Sequence, residues 1–237
     1  MRNALRLMTR MSIVLLVLAV PLMAQDGEAP AQSMLDLVLK GGGAIGWVII
    51  FLSVIGLALI IEHAINVSRD KLAPPDVIEH LESLLDAQNV QEAYDFCEAN
   101  PGYLTNVMAA ALPKLSHGFD SMEQAAHDVQ EEESIKLHAK ISWLSLIGNI
   151  APLLGLLGTV KGMLDAFGTI ETTQNPSPSE LAGGIKLALV TTMLGLVVAV
   201  PVMVGFFFFR NRVVRIILEI SAITEDLLDR FRPQGTA

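Results

Sequence analysis

Residues 187–209 form one unbroken apolar segment, and this feature limits the possible folds of the chain more than any other. The segment contains no charged residue and is long enough for a transmembrane helix, which needs about 20 apolar residues. Its large aliphatic side chains are interrupted by hydroxyl-bearing, small and rigid residues: Thr191, Thr192, Gly195, Ala199 and Pro201. Small residues let membrane helices approach closely, and hydroxyl groups hydrogen-bond within the membrane. The segment therefore predicts a helix that packs against other helices along a polar line.

Two further segments, residues 44–61 and 141–160, are also apolar and free of charge. The chain is 52% hydrophobic with a mean hydropathy of +0.51, and soluble domains rarely combine such values with several long uncharged runs. In the soluble stretch between these segments, apolar residues recur at helical spacing and no strand-like alternation occurs. We therefore predict an all-α integral membrane protein with three transmembrane helices. The formal net charge of −9 and the lack of a strongly basic segment argue against a nucleic-acid-binding protein.

The first 24 residues have the features of a secretory signal peptide. A region with three arginines precedes a short apolar core and a plausible cleavage position at Ala24. An uncleaved anchor or a later translation start would account for the same residues. Residues 25–43 would then form a periplasmic segment that includes a short amphipathic helix before the glycines at 41–43.

The rest of the chain alternates between membrane and soluble segments. The last helix of the soluble insert has a capping signal around Asp120 and Ser121 but no stop signal before the second span. We therefore expect the second span to be the upper part of one helix of about 45–50 residues, which extends into the cytoplasm. The third span continues in the same way into an amphipathic helix, whose apolar residues we expect to be buried between subunits: Ile216, Ile220, Leu227 and Phe231.

These expectations give the following boundaries: transmembrane helix 1 at 44–65, a cytoplasmic helical insert at 66–140, transmembrane helix 2 at 141–166, a periplasmic loop at 167–184, transmembrane helix 3 at 185–209, and a cytoplasmic amphipathic helix and tail at 210–237.

The placement of lysine and arginine predicts the orientation in the inner membrane. Most of these residues flank the ends that would then face the cytoplasm: Arg69, Lys71, Lys136, Lys140, Arg210, Arg212 and Arg215. The opposite ends carry only Lys40 and Lys186. We therefore expect a periplasmic N-terminus and a cytoplasmic C-terminus, in agreement with a signal peptide.

Polar and small residues share one face on each of the last two spans. On the second span these are Asn149, Pro152, Leu156, Thr159 and Met163, and on the third they are Thr192, Gly195, Ala199 and Met203. The two helices run in opposite directions, so Thr159 and Thr192 can meet at a similar depth and line a polar seam. The alternative is that the threonines bond to their own backbone and that Gly195 and Ala199 serve only close packing.

Charged residues occur near the outer ends of these spans. Lys161 and Asp165 are spaced to form an ion pair at the membrane interface, and Lys186 lies beside the loop. No His, Cys or carboxylate cluster has metal-ligand spacing, and no phosphate-binding loop or pair of nucleophile and base is present. The single cysteine, Cys97, excludes an intramolecular disulfide. The chain therefore has the character of a conduit or a stator rather than an enzyme, and we predict no cofactor.

Two sequence blocks resemble the MotA/TolQ/ExbB proton channel family, and most closely its ExbB/TolQ branch. The first is APLLGLLGTVKGMLDAF at 151–167, which contains the family's glycine, threonine and methionine positions at Gly155, Gly158, Thr159, Gly162 and Met163. The second is LAGGIKLALVTTMLGLVVAVPV at 181–202, with matching residues at Gly184, Ala188, Thr192, Gly195, Ala199 and Pro201. The three spans and the helical insert also fit, so that the resemblance covers residues 35–230.

The resemblance implies a homopentameric ring around the helices of an ExbD- or TolR-like partner that carries an essential aspartate. It further implies that proton passage drives motion, which a TonB- or TolA-like protein transmits to the outer membrane. On this reading Thr159 and Thr192 face the partner's aspartate, and Asn149, Pro152, Gly155, Gly195 and Ala199 line the pore or allow close packing.

Three alternatives follow from the same residues: a Tol-type envelope-maintenance subunit, a membrane scaffold that conducts nothing, and a flagellar-type stator. The flagellar branch has four spans, whereas this chain shows three. The sequence also departs from the family where many members carry a glutamate, because Lys186 and Leu187 stand there. Lys161 follows the GTV motif, where a neutral residue is common.

Overall fold

The computed structural model describes residues 43–172 and 177–232, and every regular element within these ranges is a helix. The predicted signal peptide and the segment at 25–42 lie outside the described residues. In chain order the helices are α1 (Gly43–Asn66), α2 (Arg69–Leu72), α3 (Pro75–Asp86), α4 (Val90–Ala99), α5 (Tyr103–Ala111), a 3-10 helix (Leu112–His117), α6 (Phe119–Thr172) and α7 (Pro178–Asp229).

Three of these helices, α1, α6 and α7, contain apolar stretches long enough to cross a membrane. The predicted all-α fold with three membrane-length helices is therefore confirmed. The expected continuation of the insert's last helix into the second span is also present, since α6 runs for 54 residues without a break.

The segment between α6 and α7 is shorter than the loop that the sequence predicts at 167–184, because α6 ends at Thr172 and α7 begins at Pro178. Helix α6 extends to Thr172, and within its last turns Thr169 and Thr172 donate their hydroxyl hydrogens to the carbonyls of Asp165 and Gly168 at 3.0 and 2.9 Å. Hydroxyls that bond back to the preceding turn leave the helix intact, so threonine here does not act as a helix terminator. Pro178 begins α7, and proline is favoured at a first helical position.

The chain divides into two compact units. The first contains residues 43–62 and the range Trp143–Phe207. These ranges include the apolar parts of α1, α6 and α7. Within it, Gly56 of α1 lies against Val202 and Ile147, and Gly205 of α7 lies against Ile60. Many of its exposed side chains are large and apolar, such as Phe51, Leu153 and Leu164 at 65%, 63% and 67% exposure, which suits a lipid environment.

The second unit contains the insert together with the end of α7. Its core is built from fully buried side chains of several helices: Leu81, Leu104, Met108, Met122, Ile220 and Leu227. At its periphery Arg230 bonds to the Glu82 carbonyl at 3.0 Å and to Asp86 Oδ1 at 2.7 Å, and Arg69 pairs with Glu219 at 2.6 Å.

The expectation that the tail residues Ile216, Ile220 and Leu227 are buried between subunits is wrong. These side chains are 6%, 0% and 0% exposed within a single chain. The physical reason is that the short insert helices cannot enclose a core alone, and the apolar face of α7 supplies the missing side.

Candidate functional site

The candidate site lies in the first unit, where α6 and α7 approach each other through small residues. Gly155, Gly158 and Gly162 recur on α6 at spacings of three and four and therefore lie on one face. A Cβ atom built on Gly162 would lie 2.8 Å from the Cβ of Ala188, and one on Gly155 would lie 3.0 Å from Thr192 Cα. The backbones are thus as close as glycine permits, which is typical of tight helix pairs in membranes.

The contacts define an antiparallel register between the two helices. Gly184 lies against Ala166, Ala188 against Gly162, Thr191 against Gly158, and Gly195 against Ala151. A Cβ atom on Gly195 would lie only 2.5 Å from the Ala151 carbonyl oxygen. Gly155 and Gly195, which the sequence singled out for pore lining or close packing, therefore both lie in the helix contact.

Three threonine hydroxyls gather around one turn of α6. Thr192 Oγ1 donates to the Gly155 carbonyl at 3.2 Å, across the helix pair. Thr191 Oγ1 donates to Ala188 O at 2.7 Å and lies 3.4 Å from the same Gly155 oxygen. Thr159 Oγ1 donates to the next carbonyl along, that of Leu156, at 2.7 Å. The two acceptors on α6, the carbonyls of Gly155 and Leu156, belong to consecutive residues, so the three hydroxyls lie near one level of α6, which we call the threonine turn.

The threonine turn brings Thr159 and Thr192 to neighbouring acceptors but does not join them by a hydrogen bond. Thr159 bonds within its own helix, as the alternative interpretation of the sequence held, whereas Thr192 bonds across to α6. Both side chains are half-buried and lie beside the tight contact rather than inside it.

Thr191 is the member of this cluster to which sequence reasoning gave no role. It is only 4% exposed and fills the space that Gly158 leaves open. Its position three residues after Ala188 and four before Gly195, within the small-residue face, was the available signal.

The other predicted residues occupy different environments. Ala199 is buried at 5% exposure, and Pro152 is half-buried inside α6. Asn149 is exposed, and its amide nitrogen donates to the Ser145 carbonyl at 2.8 Å. Asn149 therefore lies on a different side of α6 from the contact with α7.

The charged residues near the outer ends are exposed. Lys161 Nζ and Asp165 Oδ2 form the ion pair that their spacing predicts, at 2.6 Å, with 63% and 64% of the side chains exposed. An exposed ion pair of this kind contributes about 0–1 kcal/mol to the free energy of unfolding. Lys186 is also exposed, on α7.

The single cysteine, Cys97, lies in the insert and is buried. Burial raises the pKa of the Cys97 thiol to about 12, so the thiolate is not available near neutral pH. No group of three or more potential metal ligands occurs among the residues that the structure describes.

Comparisons with known proteins agree on one family. Residues 101–222 match the model of the MotA/TolQ/ExbB proton channel family. The chain is 31% identical over 170 residues to the biopolymer transport protein exbB1 of Vibrio cholerae, covering 69% of this chain and 73% of that protein. It is 30% identical over 164 residues to ExbB of Xanthomonas campestris, covering 62% and 65%. It is 36% identical over 83 residues to the Tol-Pal system protein TolQ of Pseudomonas aeruginosa, covering 35% of each. The solved structure of C. jejuni MotAB matches with a TM-score of 0.49 at 16% identity, covering 98% of this chain and 97% of that one, a likeness too slight to support a conclusion.

Proposed function

The chain belongs to the MotA/TolQ/ExbB proton channel family, and we propose that it is the ExbB-type subunit of an inner-membrane motor driven by the proton-motive force. In this proposal it forms a homopentamer around an ExbD- or TolR-like partner. The motor then energises TonB-dependent transport across the outer membrane through a TonB-like protein. Membership of this family associates the chain with transport rather than with an enzyme class.

The threonine turn is the observation that carries this proposal. It places three hydroxyls at one level of an apolar helix pair, yet the uncharged stretches 44–61, 141–160 and 187–209 contain no side chain that can carry a proton. A hydroxyl can donate a hydrogen bond to a carboxylate but does not itself exchange protons near neutral pH. The proton-carrying acid must therefore belong to another chain.

Thr159 and Thr192 would hold that acid in its charged state. Moving an ionised carboxylate from water into hydrocarbon is unfavourable in free energy. Each hydrogen bond to the charged group offsets about 1.5–3 kcal/mol of that free energy. Both hydroxyls donate hydrogen bonds to backbone carbonyls. Each therefore needs only a side-chain rotation to donate to an incoming carboxylate instead. Thr191 is buried and packed against Gly158, and we assign it to the helix contact instead.

The charged residues support one orientation for this motor. We propose that the ends of α6 and α7 near Thr172 and Pro178 face the periplasm, with Lys161, Asp165 and Lys186 at the outer mouth, and that the second unit lies in the cytoplasm. The cationic residues that follow the third span, among them Arg210, Arg212 and Arg215, fit the cytoplasmic side.

Proton flux into proteoliposomes that contain the chain with its co-purified partner tests the proposal. We expect the double variant Thr159→Ala with Thr192→Ala to lose most of the flux, about tenfold or more, since it removes two hydrogen bonds to the charged acid. The serine double variant should keep most of the flux because it keeps both hydroxyls.

Thr169→Ala provides the matched control. Its hydroxyl also bonds back to its own helix but lies far from the threonine turn, so we expect normal flux. If the alanine double variant conducts as well as the wild-type chain, the proposed role of the two threonines is wrong. If the wild-type complex itself conducts nothing, the chain is a scaffold.

A Tol-type role is the second candidate. It is supported by the match to TolQ of P. aeruginosa, whose 83 matched residues show the highest identity among the relatives named above, at 36%. Rescue of a strain lacking its own ExbB or lacking its own TolQ separates the two roles.

A further inference from the structure

Two hydroxyl groups of α7 share one acceptor on α6, the carbonyl of Gly155. Thr192 Oγ1 donates to this oxygen at 3.2 Å, and Thr191 Oγ1 lies 3.4 Å from the same atom. Gly155 lies inside the unbroken helix α6, so its carbonyl also accepts the backbone N–H that comes four residues later. A carbonyl oxygen has two lone pairs. Thr191 and Thr192 therefore compete for the one lone pair that the helical hydrogen bond leaves open.

The two hydroxyls differ in the other acceptors that they can reach. Thr191 is 4% exposed and lies against Gly158 inside the helix contact, and its hydroxyl donates to the Ala188 carbonyl at 2.7 Å. A side chain enclosed in this way reaches only acceptors of its own helix pair. Thr192 is half-buried beside the contact. Of the two, Thr192 is therefore the one whose hydroxyl can exchange its carbonyl for an acceptor on another chain.

Thr191 can take over the Gly155 carbonyl without moving its oxygen. Its Oγ1 atom already lies at 2.7 Å from the Ala188 oxygen and at 3.4 Å from the Gly155 oxygen. Rotation of the hydroxyl hydrogen about the Cβ–Oγ1 bond shares it between the two carbonyls, and three-centre hydrogen bonds of this kind are common in proteins. The lone pair that Thr192 vacates is then filled in a contact closed to water, where an unfilled acceptor is unfavourable.

We propose that Thr191 is a positioning residue for Thr192. By offering a competing donor to the Gly155 carbonyl, Thr191 lowers the free energy needed to release the Thr192 hydroxyl to the partner's acid. The inference rests on the proposed function, in which Thr192 donates to that acid. Thr191 itself does not touch the acid, and only hydrogen bonds are exchanged in this step.

The variants Thr191→Ser and Thr191→Ala test this role, because both lack the γ-methyl group and they differ only in the hydroxyl. The measurement is proton flux of the complex reconstituted with its partner. We expect the serine variant to keep most of the wild-type flux and the alanine variant to lose about three- to tenfold, since the effect is that of one neutral hydrogen bond. Equal flux in the two variants, or a higher flux in the alanine variant, overturns the inference.

Thr224 provides the matched control on the same helix. It is 1% exposed, and its hydroxyl donates to the Ile220 carbonyl at 2.9 Å in the second unit, away from the threonine turn. We expect Thr224→Ser and Thr224→Ala to conduct equally. A difference at Thr224 as large as that at Thr191 would mean that flux responds to any buried hydroxyl, and this also overturns the inference.

The same pair of variants in a Thr192→Ala background separates positioning from a structural role. If Thr191 acts through Thr192, serine and alanine at position 191 give the same residual flux once the Thr192 hydroxyl is absent. An undiminished ratio between them would assign Thr191 to structure alone and overturn the inference.

Co-purification of the partner verifies that each variant assembles. Should Thr191→Ala fail to assemble, Thr191→Cys takes its place in both comparisons, because a thiol is only a weak donor. Equal flux in the two variants at Thr191 leaves the proposed function intact, whereas a wild-type complex without flux overturns the proposed function and the inference with it.

Discussion

At the scale of single residues, the site depends on the missing Cβ atoms of α6 and α7. The hydrogen bond from Thr192 to the Gly155 carbonyl forms across two helices, and it requires backbones that touch. Gly158 leaves room for Thr191, and Gly195 lies directly against the Ala151 carbonyl. The position of the hydroxyls is thus a consequence of the glycines, and the two sets of residues cannot vary independently.

Substitution of Gly195 tests this dependence. We expect Gly195→Ala to destabilise the detergent-solubilised protein by about 1–3 kcal/mol, because the new methyl group would lie 2.5 Å from a backbone oxygen that cannot rotate away. Gly183→Ala is the control on the same helix: no atom lies within 4 Å of its Cβ position, and alanine favours helix by about 1 kcal/mol. The midpoint of unfolding in dodecyl sulfate measures both. A loss of stability at Gly183 equal to that at Gly195 would contradict the close contact.

At the scale of elements, α7 serves two cores with different physical requirements. Its first part packs through small residues in an apolar setting, and its last part buries Ile220, Leu227 and Leu228 in the second unit. The last part is fixed at its end by Arg230, which bonds to α3. The amphipathic tail is therefore a structural component of the insert, and its burial needs no second subunit.

Two substitutions in the tail test whether it is buried within its own chain or between subunits. Ile220→Ala should lower the free energy of unfolding by about 2–5 kcal/mol, because Ile220 is fully buried and its truncation leaves a cavity. Leu218→Ala should change stability by less than about 0.5 kcal/mol, since Leu218 is 65% exposed. Hydrogen exchange of the insert helices measures the effect on the monomeric and the assembled protein. If Ile220→Ala loosens the insert only after the oligomer dissociates, the tail would be buried by neighbours instead.

At the scale of the whole molecule, the distribution of charge predicts how the chain is oriented in the membrane. The uncharged stretches are bounded by cations mainly at the ends that we assign to the cytoplasm. Arg230 and Arg69, in the second unit, are held by ion pairs with Asp86 and Glu219, so that these cations also stabilise the insert.

Single cysteines in the Cys97→Ala background test the orientation. A thiol at Ser179, in the first turn of α7, should react with a membrane-impermeant maleimide added to intact spheroplasts, because we assign this turn to the periplasm. A thiol at Ala222, which is exposed in the second unit, should react only after the membrane is opened. The reverse labelling pattern would show that the chain has the opposite orientation, and the proposed direction of the proton path would then be reversed.

The sequence by itself determined the helical class, the three membrane-length segments and the continuity of α6. Hydrophobic length and the absence of a stop signal are local properties, and local properties can be read from one segment at a time. The motif blocks also singled out Thr159 and Thr192 as candidates, since their spacing relative to glycine is a linear pattern, and their role stays a prediction.

Only the tertiary structure decided which groups meet. It paired Thr192 with the Gly155 carbonyl, gave Thr191 a buried role opposite Gly158, and left Asn149 on an exposed side of α6. It also placed the apolar face of the tail inside its own chain rather than between chains. The physical reason is common to these cases. Periodicity in the sequence shows that a helix has an apolar or a polar face. Which residues that face contacts depends on the register and rotation of another helix, and these are fixed by packing between residues far apart in the sequence.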